Sequence, residues 1–224
     1  MNRRVARALP VVAVAALAAA CSTPDQGPRV TPAPAAPSVS APVPTASPLT
    51  PGSALGPAPD DLREVDWTRA VLPGDFCEIA GTVTLTDSEG RGESKTWGRV
   101  HVALLPDLTT YGDVTGDDRD EAAVAVGCDN GGGTAAGQLT FAAVVLTARD
   151  GRLYALGTLP TQHESYAEHP PLVSTTKLKP GRATMTELWY RPSDANCCPS
   201  GERVSTWTLE AADVLVLSDS KVTS

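Results

Sequence analysis

The run Asp113-Val114-Thr115-Gly116-Asp117-Asp118-Arg119-Asp120-Glu121 places oxygen-bearing side chains at its first, third, fifth and ninth positions. A hard cation is held by several oxygens at once, and a tight loop that turns alternate side chains inward supplies them. On that reading Asp113, Thr115, Asp117 and Glu121 are the side-chain ligands of a calcium ion, and Arg119 contributes its backbone carbonyl. Two positions depart from the pattern. The third, Thr115, is uncharged, and the sixth, where the chain must turn through a left-handed conformation, is Asp118 rather than glycine; aspartate adopts that conformation more readily than most residues. The competing reading is an acidic turn that leads into the strand at Ala122 with its carboxylates solvated, and short motifs of this kind often mislead.

Other spacings fail at a decisive place. The stretch Asn130 to Gln138 is glycine-rich like a phosphate cradle, but Gln138 stands where a lysine must neutralise phosphate charge, and no helical pattern follows it. His163-Glu164 opens like a zinc-protease helix. Ala167 stands where the second histidine belongs, and Pro170-Pro171 discourages a helix around His169. No G-x-S-x-G elbow occurs in the chain beyond the amino-terminal region. The reading is therefore of a protein that is not an enzyme, with a secreted hydrolase as an alternative.

Cysteine is the other chemistry-bearing residue. Cys77, Cys128, Cys197 and Cys198 lie in the second two thirds of the chain, and four cysteines allow three pairings. Cys77 with Cys128 would tie the start of a domain to its middle and leave the two neighbours to each other. A disulfide between neighbours is rare, so crossed pairing competes with it. Metal ligation is disfavoured because there is no C-x-x-C spacing.

These side chains must be positioned by strands. Trp97 to Leu104 reads WGRVHVAL, which puts Val100, Val102 and Leu104 on one face and Trp97, Arg99 and His101 on the other. Similar runs occur at 82–86, 122–127, 139–147, 152–157, 183–190, 203–210 and 214–217, rich in valine, threonine, leucine and aromatics. Asp150-Gly151 between two of them predicts a tight hairpin, since both residues tolerate positive φ. One short helix is predicted, capped by Asp60 or Asp61 and entering Leu62. The expected fold is a single, mainly β, antiparallel domain over 60–224, containing every tryptophan, tyrosine and phenylalanine.

The amino end carries an address. Arg3, Arg4 and Arg7 precede an apolar stretch, Ala8 to Ala20, that ends at Cys21. That is the layout of a secretory signal, and it is too short for a spanning helix of about 20 residues. Residues 1–20 are read as a signal peptide and 21–59 as a lipidated cysteine followed by a disordered linker. From Ser22 to Pro59 there are 11 prolines and no aromatic residue, so the stretch has little to bury against its ordering entropy. Fully extended, at about 3.1 Å per residue, it would reach on the order of 100 Å. The net charge of −8 grows more negative once the three arginines are removed with the signal. An acidic surface argues against nucleic acid and anionic headgroups as partners.

Leu17-Ala18-Ala19-Ala20-Cys21 resembles a lipobox, with Leu17 one place earlier than usual, and Asp113 to Glu121 resembles an integrin-type calcium loop. With Val65-Asp66-Trp67, the Tyr111 to Ala122 run and Asp194-Ala195-Asn196-Cys197-Cys198-Pro199-Ser200, the chain resembles secreted actinobacterial lipoproteins, including the LppP/LprE-like group. The resemblance implies a protein anchored by lipid on Cys21 to the outer face of the cytoplasmic membrane, in the cell envelope. It implies no catalytic residue. The expected role is noncatalytic binding of an envelope protein or small ligand, with no cofactor, or with calcium if the acidic loop holds it.

Overall fold

The computed structural model describes residues 52–131, 137–164, 169–211 and 213–224. The expected signal peptide, Cys21 and nearly all of the Pro-rich stretch lie outside these residues, as does the centre of the glycine-rich loop. Among the described residues no helix is long and apolar enough to cross a membrane.

The domain is mainly β and antiparallel. Its largest sheet joins β1 (Ala54–Pro57), β9 (Arg152–Pro160), β8 (Gln138–Arg149), β7 (Glu121–Asp129), β5 (Gly98–Leu104) and β4 (Glu89–Ser94) in that order, with β6 (Thr110–Gly112) also pairing with β7. A four-stranded meander runs β10 (Leu172–Lys179), β11 (Arg182–Trp189), β12 (Gly201–Glu210) and β13 (Val214–Val222). A small ribbon pairs β2 (Val71–Pro73) with β3 (Thr82–Thr84). The four named helical turns are of 3-10 type and three residues each. The first, Leu62–Glu64, is capped as expected: the Asp61 carboxylate accepts from the Arg63 N–H. Strand β1 draws Ala54–Pro57 into the fold by pairing with β9, and Leu55 is buried there. Folded residues thus extend into the stretch that composition assigned to the linker.

Two cores flank the large sheet. In a strand successive side chains point to opposite faces. On β7, Ala122, Val124, Val126 and Cys128 face one core while Ala123 and Ala125 face the other; on β8, Ala142, Val144, Leu146 and Ala148 oppose Phe141, Ala143 and Val145 in the same way. Both strands are apolar on both sides, as strands sandwiched between layers must be. The first core is completed by the amino-terminal segment through Leu62, Leu72, Val83 and Leu85. The second is completed by the meander through Val173, Leu178, Met185, Trp207 and Leu215. Asp150 and Gly151 have φ of 50° and 69° between β8 and β9, the hairpin their types predict.

Candidate functional site

The acidic loop leaves β6 and enters β7. Gly116 and Asp118 both have positive φ, 79° and 64°, so Asp118 adopts the left-handed turn required at the sixth position. The Asp113 carboxylate accepts the N–H groups of Gly116, Asp117 and Asp118, which closes the loop upon itself. Asp117 turns outward to Arg119, whose guanidinium reaches it at 2.6 Å and holds its carboxyl below the usual range. Glu121 turns inward and is 2 % exposed. It accepts from the N–H groups of Val114 and Thr115, at 2.7 and 3.0 Å, and from the hydroxyls of Thr115 and Thr147. The five residues singled out by spacing are local neighbours, and the carboxylates of Asp113, Asp117 and Glu121 each accept hydrogen bonds from the chain itself. Among the described residues no three His, Cys, Asp or Glu side chains gather into a set that would hold a metal ion.

The loop is also tied to the amino-terminal segment. Arg63 pairs with Asp120 and lies over the Tyr111 ring, 4.8 Å from its centroid, while the Trp67 indole N–H donates to the Tyr111 hydroxyl at 3.0 Å. The Val-Asp-Trp and Tyr-Gly-Asp pieces of the sequence therefore meet in space.

A second polar assembly, absent from the sequence reading, lies at the end of the meander. On β11 the face that carries Ala183 and Met185 into the second core continues through Glu187 and Trp189. Glu187 is fully buried. Its carboxylate accepts the N–H groups of Gln162 and His163, both at 2.6 Å, and lies 3.7 Å from Nε of Arg203 on the neighbouring strand. Burial holds its carboxyl above the usual range, opposed by those N–H groups and by the Arg203 charge. The His163 ring stacks on Trp189 at 3.9 Å between centroids, and the Arg191 guanidinium lies 5.3 Å from the Trp189 ring. His163 is thus a packed residue of the strand end rather than a protease ligand, and burial lowers its pKa, with Arg203 adding to the effect. The indole is also packed close to β12: Gly201 pairs with Trp189, and a Cβ there would lie 2.2 Å from the ring. Only glycine leaves the indole room to lie across β12. A charged residue in the apolar stripe of β11 was the signal available in the sequence.

A polar cleft of about 250 Å³ opens between the β8–β9 hairpin and β13, lined by Gly52, Arg149, Asp150, Tyr154 and Asp213 among others. Arg149 and Asp213 pair across it at 2.6 Å. The cleft brings together one cation, Arg149, two carboxylates and a phenol, without a histidine. His101, on β5, lies on the face opposite Val100 and Val102, half-buried.

The cysteines divide into two bridges. Cys77, in the 3-10 turn Asp75–Cys77, joins Cys128 on β7, with Cα atoms 6.0 Å apart; Cys197 joins Cys198. Of the exposed large hydrophobic residues, Val216, Leu217 and Val222 lie on β13, an edge strand, and Trp97 precedes β5. No family model, curated protein or solved structure matches the chain.

Proposed function

We propose that the chain is an envelope lipoprotein of the LppP/LprE-like kind, cleaved before Cys21, acylated on that thiol, and carrying its β domain on the Pro-rich linker beyond the cytoplasmic membrane. The domain serves a noncatalytic contact with an envelope protein or small ligand. The observation that supports this best is the Cys77–Cys128 bridge. Its two sulfurs belong to elements 51 residues apart and are buried in the first core. Such bridges persist where the compartment is oxidising, and are rare where glutathione keeps thiols reduced. Two acyl chains on Cys21 would hold the chain at the bilayer, at about 0.8 kcal/mol per buried methylene. Protein contact is favoured over a small ligand by β13, where an edge strand and the apolar side chains of Val216, Leu217 and Val222 are open to solvent.

Mass spectrometry of the mature chain tests the proposal. The expected amino terminus is an acylated Cys21 in the membrane fraction, and Cys21→Ala should move the protein to the soluble fraction. An unmodified Met1 recovered from the cytosol would overturn it.

A further inference from the structure

The two bridges of this domain have opposite surroundings. Cys77 is fully buried and Cys128 is 2 % exposed. Cys197 and Cys198 are both exposed, in the connection 190–200 between β11 and β12. The neighbouring turn is much shorter: Pro180 and Gly181 suffice between β10 and β11. A longer loop on a rigid sheet is where function concentrates.

Contacts other than the bridge also hold the loop. Asp194 closes its base by accepting the Arg191 N–H at 2.8 Å, the Ser200 N–H at 2.9 Å and the Ser200 hydroxyl at 2.7 Å. The Tyr190 hydroxyl donates to the Asn196 carbonyl, and the Cys198 N–H to the Ala195 carbonyl, both at 2.9 Å. A disulfide stabilises chiefly by closing a long loop in the unfolded chain, and one between neighbours closes almost none. Stability therefore gives little reason for this bond. Reactivity gives a better one, because exchange requires a thiolate to reach a sulfur, and exposed disulfides are the labile ones.

We propose that Cys197–Cys198 is a thiol–disulfide exchange site that takes two electrons from a dithiol donor. A donor thiolate attacks one sulfur of the pair; the Cys197–Cys198 bond breaks, and the other sulfur leaves as a thiolate that takes up a proton. The donor's second thiol then resolves the mixed disulfide. The products are two cysteine thiols and the donor's own disulfide, so two electrons and two protons have moved. The Asp194 scaffold persists through the cycle and holds the two thiols as neighbours, ready to be oxidised again.

The test is graded reduction of the full chain with dithiothreitol, trapping with N-ethylmaleimide and mapping of adducts by peptide mass spectrometry. Cys197 and Cys198 should each gain an adduct at a reductant concentration at least tenfold below that needed for Cys77 and Cys128. The melting temperature should move by less than about 2 °C at that point. A parallel arm supplies reduced thioredoxin: faster exchange than with dithiothreitol identifies a protein donor, and reaction with dithiothreitol alone identifies a small one. The double variant Cys197→Ser, Cys198→Ser should melt like the wild type and lose the low-concentration adducts. The proposal is overturned if all four cysteines react together, if Cys197 and Cys198 label without reductant, or if the double variant unfolds.

Discussion

Removing the buried bridge by Cys77→Ala together with Cys128→Ala tests the support for an oxidising compartment. The bridge closes a loop spanning 51 positions. In the chain-entropy description, a loop of that length costs the unfolded ensemble about 14 cal/mol/K, or about 4 kcal/mol at 25 °C. Both cysteines lie in the first core, where Cys128 shares a face of β7 with Ala122, Val124 and Val126, so alanine keeps the site apolar and introduces no polar group. For a domain of this size each kilocalorie shifts the midpoint by about 2–4 °C, which predicts a fall of about 8–16 °C. Thermal unfolding followed by tryptophan fluorescence measures the midpoint and urea unfolding the free energy, each with and without strong reductant. Reductant should bring the wild type down to the variant and leave the variant unchanged. A loss under about 1 kcal/mol would refute the reasoning, as would a variant that reductant destabilises as much as the wild type, since the stabilisation would then reside in Cys197–Cys198.

Three further outcomes follow from the site geometry. Gly201→Ala drives a Cβ into the Trp189 ring and should cost about 2–3 kcal/mol; in a Trp189→Ala background the same change should cost less than about 0.5 kcal/mol, and equal costs in both backgrounds would place the strain elsewhere. The raised carboxyl of Glu187 binds its proton more tightly folded than unfolded, so its contribution is full below about pH 4.5 and is lost as pH rises through the folded value. His163 has the opposite sign: its lowered pKa gives stability that is present above about pH 6.5 and is lost as pH falls through that value and below. Glu187→Gln should therefore remove the alkaline-going decline and keep the acid-going one, as stability curves against pH would reveal. A calcium site filled at a hundred times its Kd would add about 2.7 kcal/mol. With the carboxylates of Asp113, Asp117 and Glu121 engaged by N–H groups, hydroxyls and Arg119, calcium should leave the melting temperature of the wild type and of Asp117→Ala alike unchanged. A shift lost in the variant would support the calcium reading.

What the sequence made legible was whatever is settled within a few residues. The alternation of WGRVHVAL placed Val100, Val102 and Leu104 inward, all of them 5 % exposed or less, and Asp150-Gly151 specified its turn without reference to anything distant. Strand β4, EGRGES, was invisible because it has no apolar face of its own; it is a strand through its pairing with β5. Strand β10 was missed for a related reason, since its LVSTTKLK sequence becomes half-buried only where the meander lies on the large sheet. The acidic loop divides the same way. Its left-handed turn at Asp118 followed from residue type, whereas the inward commitment of Glu121 depends on Thr147, a partner 26 residues away.

The cysteines show where that limit falls. Three pairings were open because spacing says nothing about which layer covers which face of a sheet. Parity supplies half of the missing information: Cys128 shares its side of β7 with Ala122, Val124 and Val126. Once the amino-terminal segment is known to cover that side, Cys77 is the cysteine within reach. Cys197 and Cys198 extend from the meander, which covers the other side. Crossed pairing would need a bond through the large sheet, between whose strands β7 and β8 the ladder runs unbroken from Ala122 to Cys128. The choice of disulfides is thus decided by the order of layers, a non-local property, and the separation of a buried bridge from an exposed one follows from it.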